Sequence, residues 1–340
     1  MTGFDADPRD ALALLGACPA YAATPLRALP GLASEGGVAS VRVKDETARM
    51  GLGSFKALGG VYAVADLLRQ RLGGAARPEA LVGERAREAA RTLTVACASA
   101  GNHGLAVAAG AAVFGARAVI YLAQTVPEGF AERLRAKGAQ VVRAGAVYDE
   151  AMARAMEDAR ANGWTLVSDS SWQGYRTIPE TIMRGYCVMA GEIADACRAN
   201  GDWPSHVFLQ AGVGGLAAAV AAHIRAHWDV QPHIAIAEPD RAPCLKASVE
   251  AGRPVRADGP VSNMGRLDCK EPSLVAFEVL RAAADRFALV TDEAATGTVA
   301  LLARHGVRST PSGVAGLAAA LDAGLPGDAR ILFIASEGDG

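Results

Sequence analysis

One lysine stands apart. In the stretch MGLGSFKALGG, Met50 to Gly60, Lys56 follows Phe55 inside a glycine-rich frame. Such a lysine is either an ordinary solvated side chain or an amine put to use. Four other segments place small or polar residues where a chain would turn. They are ASAGNHG from Ala98, SDSSWQGY from Ser168, QAGVGGLAAAV from Gln210 and IASEGDG from Ile334.

Each segment follows an apolar, β-branched run, so each is a loop at the carboxyl end of a strand. In open parallel sheets that edge is where ligands bind. In ASAGNHG, the small residues let backbone approach a ligand and the following helix aims free N–H groups at an anion. Read alone, GNHG is equally an N-cap turn. In QAGVGGLAAAV, strand, glycine loop and Ala-rich helix give the layout of a phosphate cradle. The segment lacks the Lys and Ser/Thr of a P-loop, and its glycines fit GxGG, not GxGxxG. Glu238, the nearest acid at a strand end, stands too far on for a ribose contact. A tight helix–sheet turn is its plain alternative. Asp169 reads as an N-cap, and Ser336 as a turn residue or a hydroxyl turned into the same crevice.

The elements that must position these loops follow from the pattern. Strand-like runs start at Val41, Leu93, Ala118, Gln140, Thr165, His206, His233 and Arg330, with helices over 127–137, 148–162, 179–200 and 214–228 between them. This alternation predicts α/β architecture: open, mostly parallel twisted sheets flanked by helices. The regular run from 93 to 169 predicts a small α/β domain, with 1–92 and 170–340 forming a larger discontinuous one. The stretch 70–91 reads as a solvated helix or connector.

Composition sets outer bounds. The chain has 340 residues, half of them apolar and a fifth charged, with a formal net charge of −2. That balance gives no reason to expect nucleic acid or a membrane surface as partner. The six cysteines form no CxxC pair and have no clustered histidines, so they read as buried thiols of a reducing compartment, with no metal set among them. The acidic N-terminus is unlike a signal peptide, and the apolar runs 105–116 and 211–222 are too short to span a bilayer. A cytoplasmic protein is expected. Glu238 and Asp240 are candidates for a monovalent-cation site, though Asp240 reads as a solvated surface acid.

Taken together, the loops offer a lone amine, a cradle for one phosphate, a small-residue anion loop and a terminal hydroxyl. Pyridoxal 5′-phosphate (PLP), with one phosphate, an aldehyde and a ring nitrogen, would use all four. At this point the sequence resembles the fold-type II PLP enzymes, the tryptophan synthase β-like superfamily, and within it the diaminopropionate ammonia-lyase family. KDETARMGLGSFKALGG, SDSSWQGYRTIPETIMRGY, LQAGVGGLA, EPD, SGVAGL and SEGD carry the resemblance in order, from about residue 20 to the end.

The resemblance implies that Lys56 is the cofactor-binding lysine and that Phe55 lies against the ring. Asn102 would bond the ring's 3-oxygen, and Ser336 its nitrogen. Gly212, Val213, Gly214, Gly215 and Leu216 would cradle the phosphate. Ser99, Ala100, Gly101 and His103 would face the substrate, with Asp169 lining its pocket and taking part in catalysis. One position departs from the family: an acid commonly precedes GNHG, and here it is Ala100, as in the SxGNH loop of serine and threonine dehydratases. The implied reaction is α,β-elimination on a small β-substituted amino acid, 2,3-diaminopropionate first, by a homodimer. Alternatives are a serine/threonine or 3-hydroxyaspartate dehydratase, or a β-replacement synthase. An NAD-dependent dehydrogenase, from another class, would leave Lys56 unexplained.

Overall fold

The computed structural model describes residues 3–339, so residues 1, 2 and 340, at the ends of the expected outer domain, lie outside it. Ten strands are present among the described residues: β1 Leu26–Ala28, β2 Ser40–Asp45, β3 Thr94–Ala98, β4 Arg117–Leu122, β5 Gln140–Arg143, β6 Thr165–Leu166, β7 His206–Gln210, β8 His233–Pro239, β9 Arg286–Val290 and β10 Arg330–Ala335. They form two sheets. Six strands run in the order β1-β2-β10-β7-β8-β9, and four in the order β5-β4-β3-β6. Every pairing is parallel except β1 with β2.

Helices cover both faces, and the side chains divide with period two. On β7, Val207 and Leu209 enter the main core while Phe208 enters a second one, together with Val41, Val43 and Phe333. The main core is continuous between the sheets, since Val95, Cys97 and Ile120 of the smaller sheet share it with Val207, Ile236 and Ile334 of the larger. A third core packs Ala96, Val119 and Tyr121 against Ala151 and Ala155 of the helix Tyr148–Asn162. Strands buried on both faces explain the near-continuous apolar runs of the sequence.

Most expected elements are found near their expected ends. The helix expected over 179–200 begins two residues earlier, as Thr177–Asn200. The apolar run at 105–116 is the helix Asn102–Phe114, buried on almost every side. The stretch 70–91 is partly structural: after the helix Lys56–Arg71 come a 3-10 turn Pro78–Val82 and a helix Glu84–Ala90, with Leu81, Ala86 and Ala90 buried. Five cysteines are buried, and Cys269 is partly exposed. No helix among the described residues is long and apolar enough to cross a membrane.

The helix Gly215–His227 is held at its middle by His223, whose Nδ1 lies 3.0 Å from the Ala6 carbonyl oxygen. Burial pushes the pKa of this ring down to about 4. The unfolded value is near 6.5, so the unfolded chain takes up a proton that the folded chain refuses. The associated stability is fully present above pH ~6.5 and is lost as pH falls towards 4, by roughly 3 kcal/mol in all. Urea unfolding of His223→Gln should therefore lose about 2–3 kcal/mol less than the wild type between pH 7 and pH 4.5. Equal losses would show that His223 titrates normally.

Candidate active site

The strand orders bring the loops together. In the larger sheet β2, β10 and β7 are adjacent, so the segments leaving their carboxyl ends are neighbours: 46–55 before Lys56, 336–339, and 211–214. In the smaller sheet, strand order reverses at β3, with β4 and β5 added on one side and β6 on the other, and this is the switch point at which α/β sheets open a crevice. The loop 99–101 and the segment carrying Asp169 leave the sheet at that point.

Lys56 is the first residue of its helix, Lys56–Arg71. The turn before it holds Gly51 and Gly53 at positive φ, which accounts for part of the glycine frame. The N–H of Phe55 donates to the Ser336 carbonyl oxygen at 3.1 Å, and Ser54 bridges to Glu337, so the segment is laid across the end of β10. The Lys56 amine forms an ion pair and hydrogen bond with Asp169 Oδ2. It lies 5.1 Å from the centre of the Phe55 ring and 5.6 Å from that of Tyr186. Burial works to lower the lysine's pKa, but the Asp169 carboxylate outweighs it and the net direction is upward. Burial likewise acts to raise the pKa of Asp169, and the charges of His103 and Lys56 bring it below the usual carboxylate range. Both groups are therefore ionised. Asp169 caps no helix, because the next one starts at Thr177.

Across the crevice, Ser99 Oγ accepts the N–H groups of Gly101 and Gly104 at 3.3 and 3.1 Å, so part of this loop is indeed a helix cap. Ala100 packs against the main core. Asn102 donates through Nδ2 to Glu337 Oε2, next to Ser336. His103 is buried. Its Nε2 lies 3.0 Å from the Val167 carbonyl oxygen and so donates to it, which leaves Nδ1 without a partner among the described residues. Burial lowers the pKa of the ring. The Tyr186 hydroxyl is also buried without a partner there.

The loop 212–216 closes the site. A methyl group built on Gly215 would lie 3.7 Å from Tyr186 and 3.9 Å from the Asp169 carbonyl oxygen. Gly214 has φ +102°, and a methyl group there would come within 2.9 Å of Ala276 Cβ and 3.0 Å of Leu245 Cδ1. Val213 accepts the Ser273 N–H through its carbonyl at 2.9 Å. Leu216 is buried in the helix that Gly215 begins. The N–H groups of Gly212, Val213 and Gly214 donate to no backbone carbonyl recorded among the described residues. Both oxygens of Glu238 accept N–H groups, of Leu245 and Lys246, at 2.8 Å, and burial raises its pKa to about 7. Asp240 is exposed.

Glu337, Tyr186 and Arg266 were not singled out from the sequence. Glu337 adjoins Ser336 in SEGD, a signal that was present. Tyr186 lies inside a helix and Arg266 in a remote loop, and neither position shows what it will meet. The donor set fits a phosphorylated aldehyde with an aromatic ring. There is one amine at the crevice, two aromatic rings beside it, unspent N–H groups at a helix start, and the buried Ser336, for whose hydroxyl no protein partner is recorded among the described residues.

Architecture and donor set define an enzyme built around PLP. Residues 17–337 match the model of the pyridoxal-phosphate dependent enzyme family, and the chain belongs to that family. It is 37% identical over 278 residues to the diaminopropionate ammonia-lyase of Escherichia coli K12, covering 81% of this chain and 69% of that one. The crystal structure of the E. coli enzyme in complex with an aminoacrylate–PLP azomethine reaction intermediate superposes with a TM-score of 0.87 at 33% identity, covering 98% of this chain and 88% of that one. A probable D-serine dehydratase of Acidovorax sp. JS42 is 29% identical over 321 residues, covering 88% and 69%. The fold is that of the fold-type II PLP enzymes.

If the 212–216 loop holds the phosphate, Gly214→Leu should weaken PLP binding sharply, since the side chain has no space and the backbone angle disfavours it. Equilibrium dialysis of the purified variant checks this. Unchanged PLP affinity would place the phosphate elsewhere.

Proposed function

We propose that this chain is a PLP-dependent ammonia-lyase acting on 2,3-diaminopropionate, releasing pyruvate and two molecules of ammonia. The observation that carries the reading is the ion pair of Lys56 with Asp169. When bound, PLP supplies a carbon that bonds to amines and a ring that takes up the electron pair of a broken Cα–H bond. Lys56 is the residue that holds the cofactor. Its Nζ, once free, would be the base that takes the α-proton. Asp169 then faces the substrate in place of Lys56. A carboxylate that already binds one ammonium is suited to bind another, the β-ammonium, by a charge-assisted hydrogen bond. An ammonium leaves with its proton already in place, whereas a hydroxyl needs an added proton, which Asp169 would supply only with a raised pKa.

The other site residues take supporting roles in this reading. Phe55 would flank the ring, and Asn102 would meet its oxygen. The Ser336 hydroxyl would meet the ring nitrogen without fully protonating it, which favours expulsion of a β-group. The N–H groups of 212–216 and the helix start hold the phosphate, a field worth about 0.3–1 kcal/mol, or ~2 when partly buried. Ser99, Ala100, Gly101 and His103 line the substrate side. The reading also includes a homodimer in the cytoplasm, and a division into 93–169 and the remainder, supported by the four-stranded sheet being built from residues 94–166 alone. A serine dehydratase is the second reading, favoured by the likeness to the Acidovorax protein.

Pyruvate release from L- and D-2,3-diaminopropionate, L-serine, L-threonine and 3-hydroxyaspartate separates the two, with diaminopropionate expected to be the best substrate. Lys56→Ala should abolish turnover and keep the wild-type circular dichroism spectrum. Turnover at an ordinary rate would remove Lys56 from its role. Ala100 offers no proton acceptor on the face of the substrate opposite Lys56, so kcat/KM for the L-isomer should exceed that for the D-isomer by ~10²–10⁴, the usual worth of a positioned base. Ala100→Asp should narrow the gap. Comparable rates on both isomers in the wild type would refute this assignment.

A further inference from the structure

Arg266 stands where three segments of the site meet. Its carbonyl oxygen lies 3.1 Å from the point a methyl group on Gly212 would occupy. Its side chain runs along Gly101: a methyl group there would be 3.6 Å from Nη1, 3.8 Å from Cζ and 3.9 Å from Cδ. Its Nε is 3.8 Å from Glu337 Oε2, the oxygen that accepts Asn102. The backbone is fixed, because the Arg266 N–H donates to Ser312 Oγ at 3.0 Å, while the side chain is 51% exposed.

The charges around it are unequally committed. The Lys56 amine is held by Asp169. Glu337 does not depend on Arg266, since Oε1 accepts the Thr310 hydroxyl and Oε2 accepts Asn102. The Arg266–Glu337 contact is long and open to water, the kind of ion pair that contributes little. The guanidinium can therefore exchange Glu337 for another anion while the Glu337 carboxylate keeps its two hydrogen bonds. A guanidinium offers two parallel N–H groups matched to a carboxylate, which a lysine cannot do. An amino-acid substrate brings one carboxylate, and Gly101 lies on the side of the crevice where Ser99, Ala100 and His103 also stand.

We propose that Arg266 binds the α-carboxylate of the amino-acid substrate, beside the turn at Ser99–Gly101, and so selects amino acids over amines that lack a carboxylate. This rests on the reading of the site as that of a PLP-dependent lyase. Its failure can be told apart from failure of that reading by using ligands with no leaving group. The PLP-loaded enzyme is titrated with glycine, which has the carboxylate, and with methylamine, which does not, following the cofactor's visible absorbance. Arg266→Ala should raise the Kd for glycine about 10–100-fold, equivalent to about 1.4–2.7 kcal/mol, and leave methylamine unchanged. Arg266→Lys should fall between the two. With a turned-over substrate, KM should rise by a similar factor and kcat stay within about twofold, the pattern of lost uniform binding.

Equal glycine affinity in wild type and Arg266→Ala would overturn the proposal. So would an equal rise in the PLP dissociation constant measured by dialysis, which would assign the guanidinium to the phosphate. Selective loss of glycine binding in a protein that eliminates from no amino acid would support Arg266 and overturn the lyase reading.

Discussion

A primary amine held in a crevice needs an anion beside it, and the pairing of Lys56 with Asp169 sets much of the architecture. The two residues follow strands of different sheets, β2 and β6, so the ion pair forms only when both sheets are placed. The support for Lys56 is itself ionic. Arg49, fully buried seven residues before it, donates to Glu46 through Nε and Nη2 at 2.7 Å, and to Glu192 through Nη1 and Nη2 at 2.9 and 2.7 Å. Lys44 of β2 donates to the Thr24 carbonyl and to Glu192. Two cations and two carboxylates thus tie together the N-terminal segment, β2, the turn before Lys56 and the helix Thr177–Asn200. Such a cluster is costly to bury and costlier to break, which suits it to fixing one arrangement.

Much of this was legible because parallel sheets announce themselves. The long β-branched runs became strands, the glycine-bounded helices ended where αL glycines such as Gly163 and Gly201 end them, and the loops after the strands became one crevice. The misses have physical causes. β1 has three residues and lies antiparallel at an edge, where few side chains need an apolar pattern. β9, RFALV, is an edge strand whose residues are largely half-buried or exposed, so it lacks the apolar run of a central strand.

The alternation in VRVK reads as a strand with one wet face. The structure buries Arg42 and Lys44 because Glu192 and Asp202 come from elsewhere to meet them. The same limit applied within the site. Positions at strand ends could be read, but the partners of Asn102 and of Lys56, and the approach of Arg266 to Gly101, arise from residues far apart in the chain.

The rest of the glycine frame around Lys56 has its reason one turn further on. A methyl group on Gly59 would lie 2.7 Å from Ile182 Cγ2 and 2.8 Å from the Ile182 carbonyl oxygen, and one on Gly185 would lie 2.8 Å from Gly59 Cα. On the other side, Gly60 meets Ala106, and Gly110 meets Val61. The helix of Lys56 is thereby in backbone contact with a helix on each flank, one of them the helix Asn102–Phe114 that follows β3. Helices separated by long side chains can slide as rotamers interchange. Helices whose backbones touch lack that slack, and their relative position is set at the contact. The Lys56 helix and the helix Asn102–Phe114 are thus fixed against each other at Gly60 and Gly110. The amine at the start of one helix and the anion loop at the start of the other are thereby held at a set spacing.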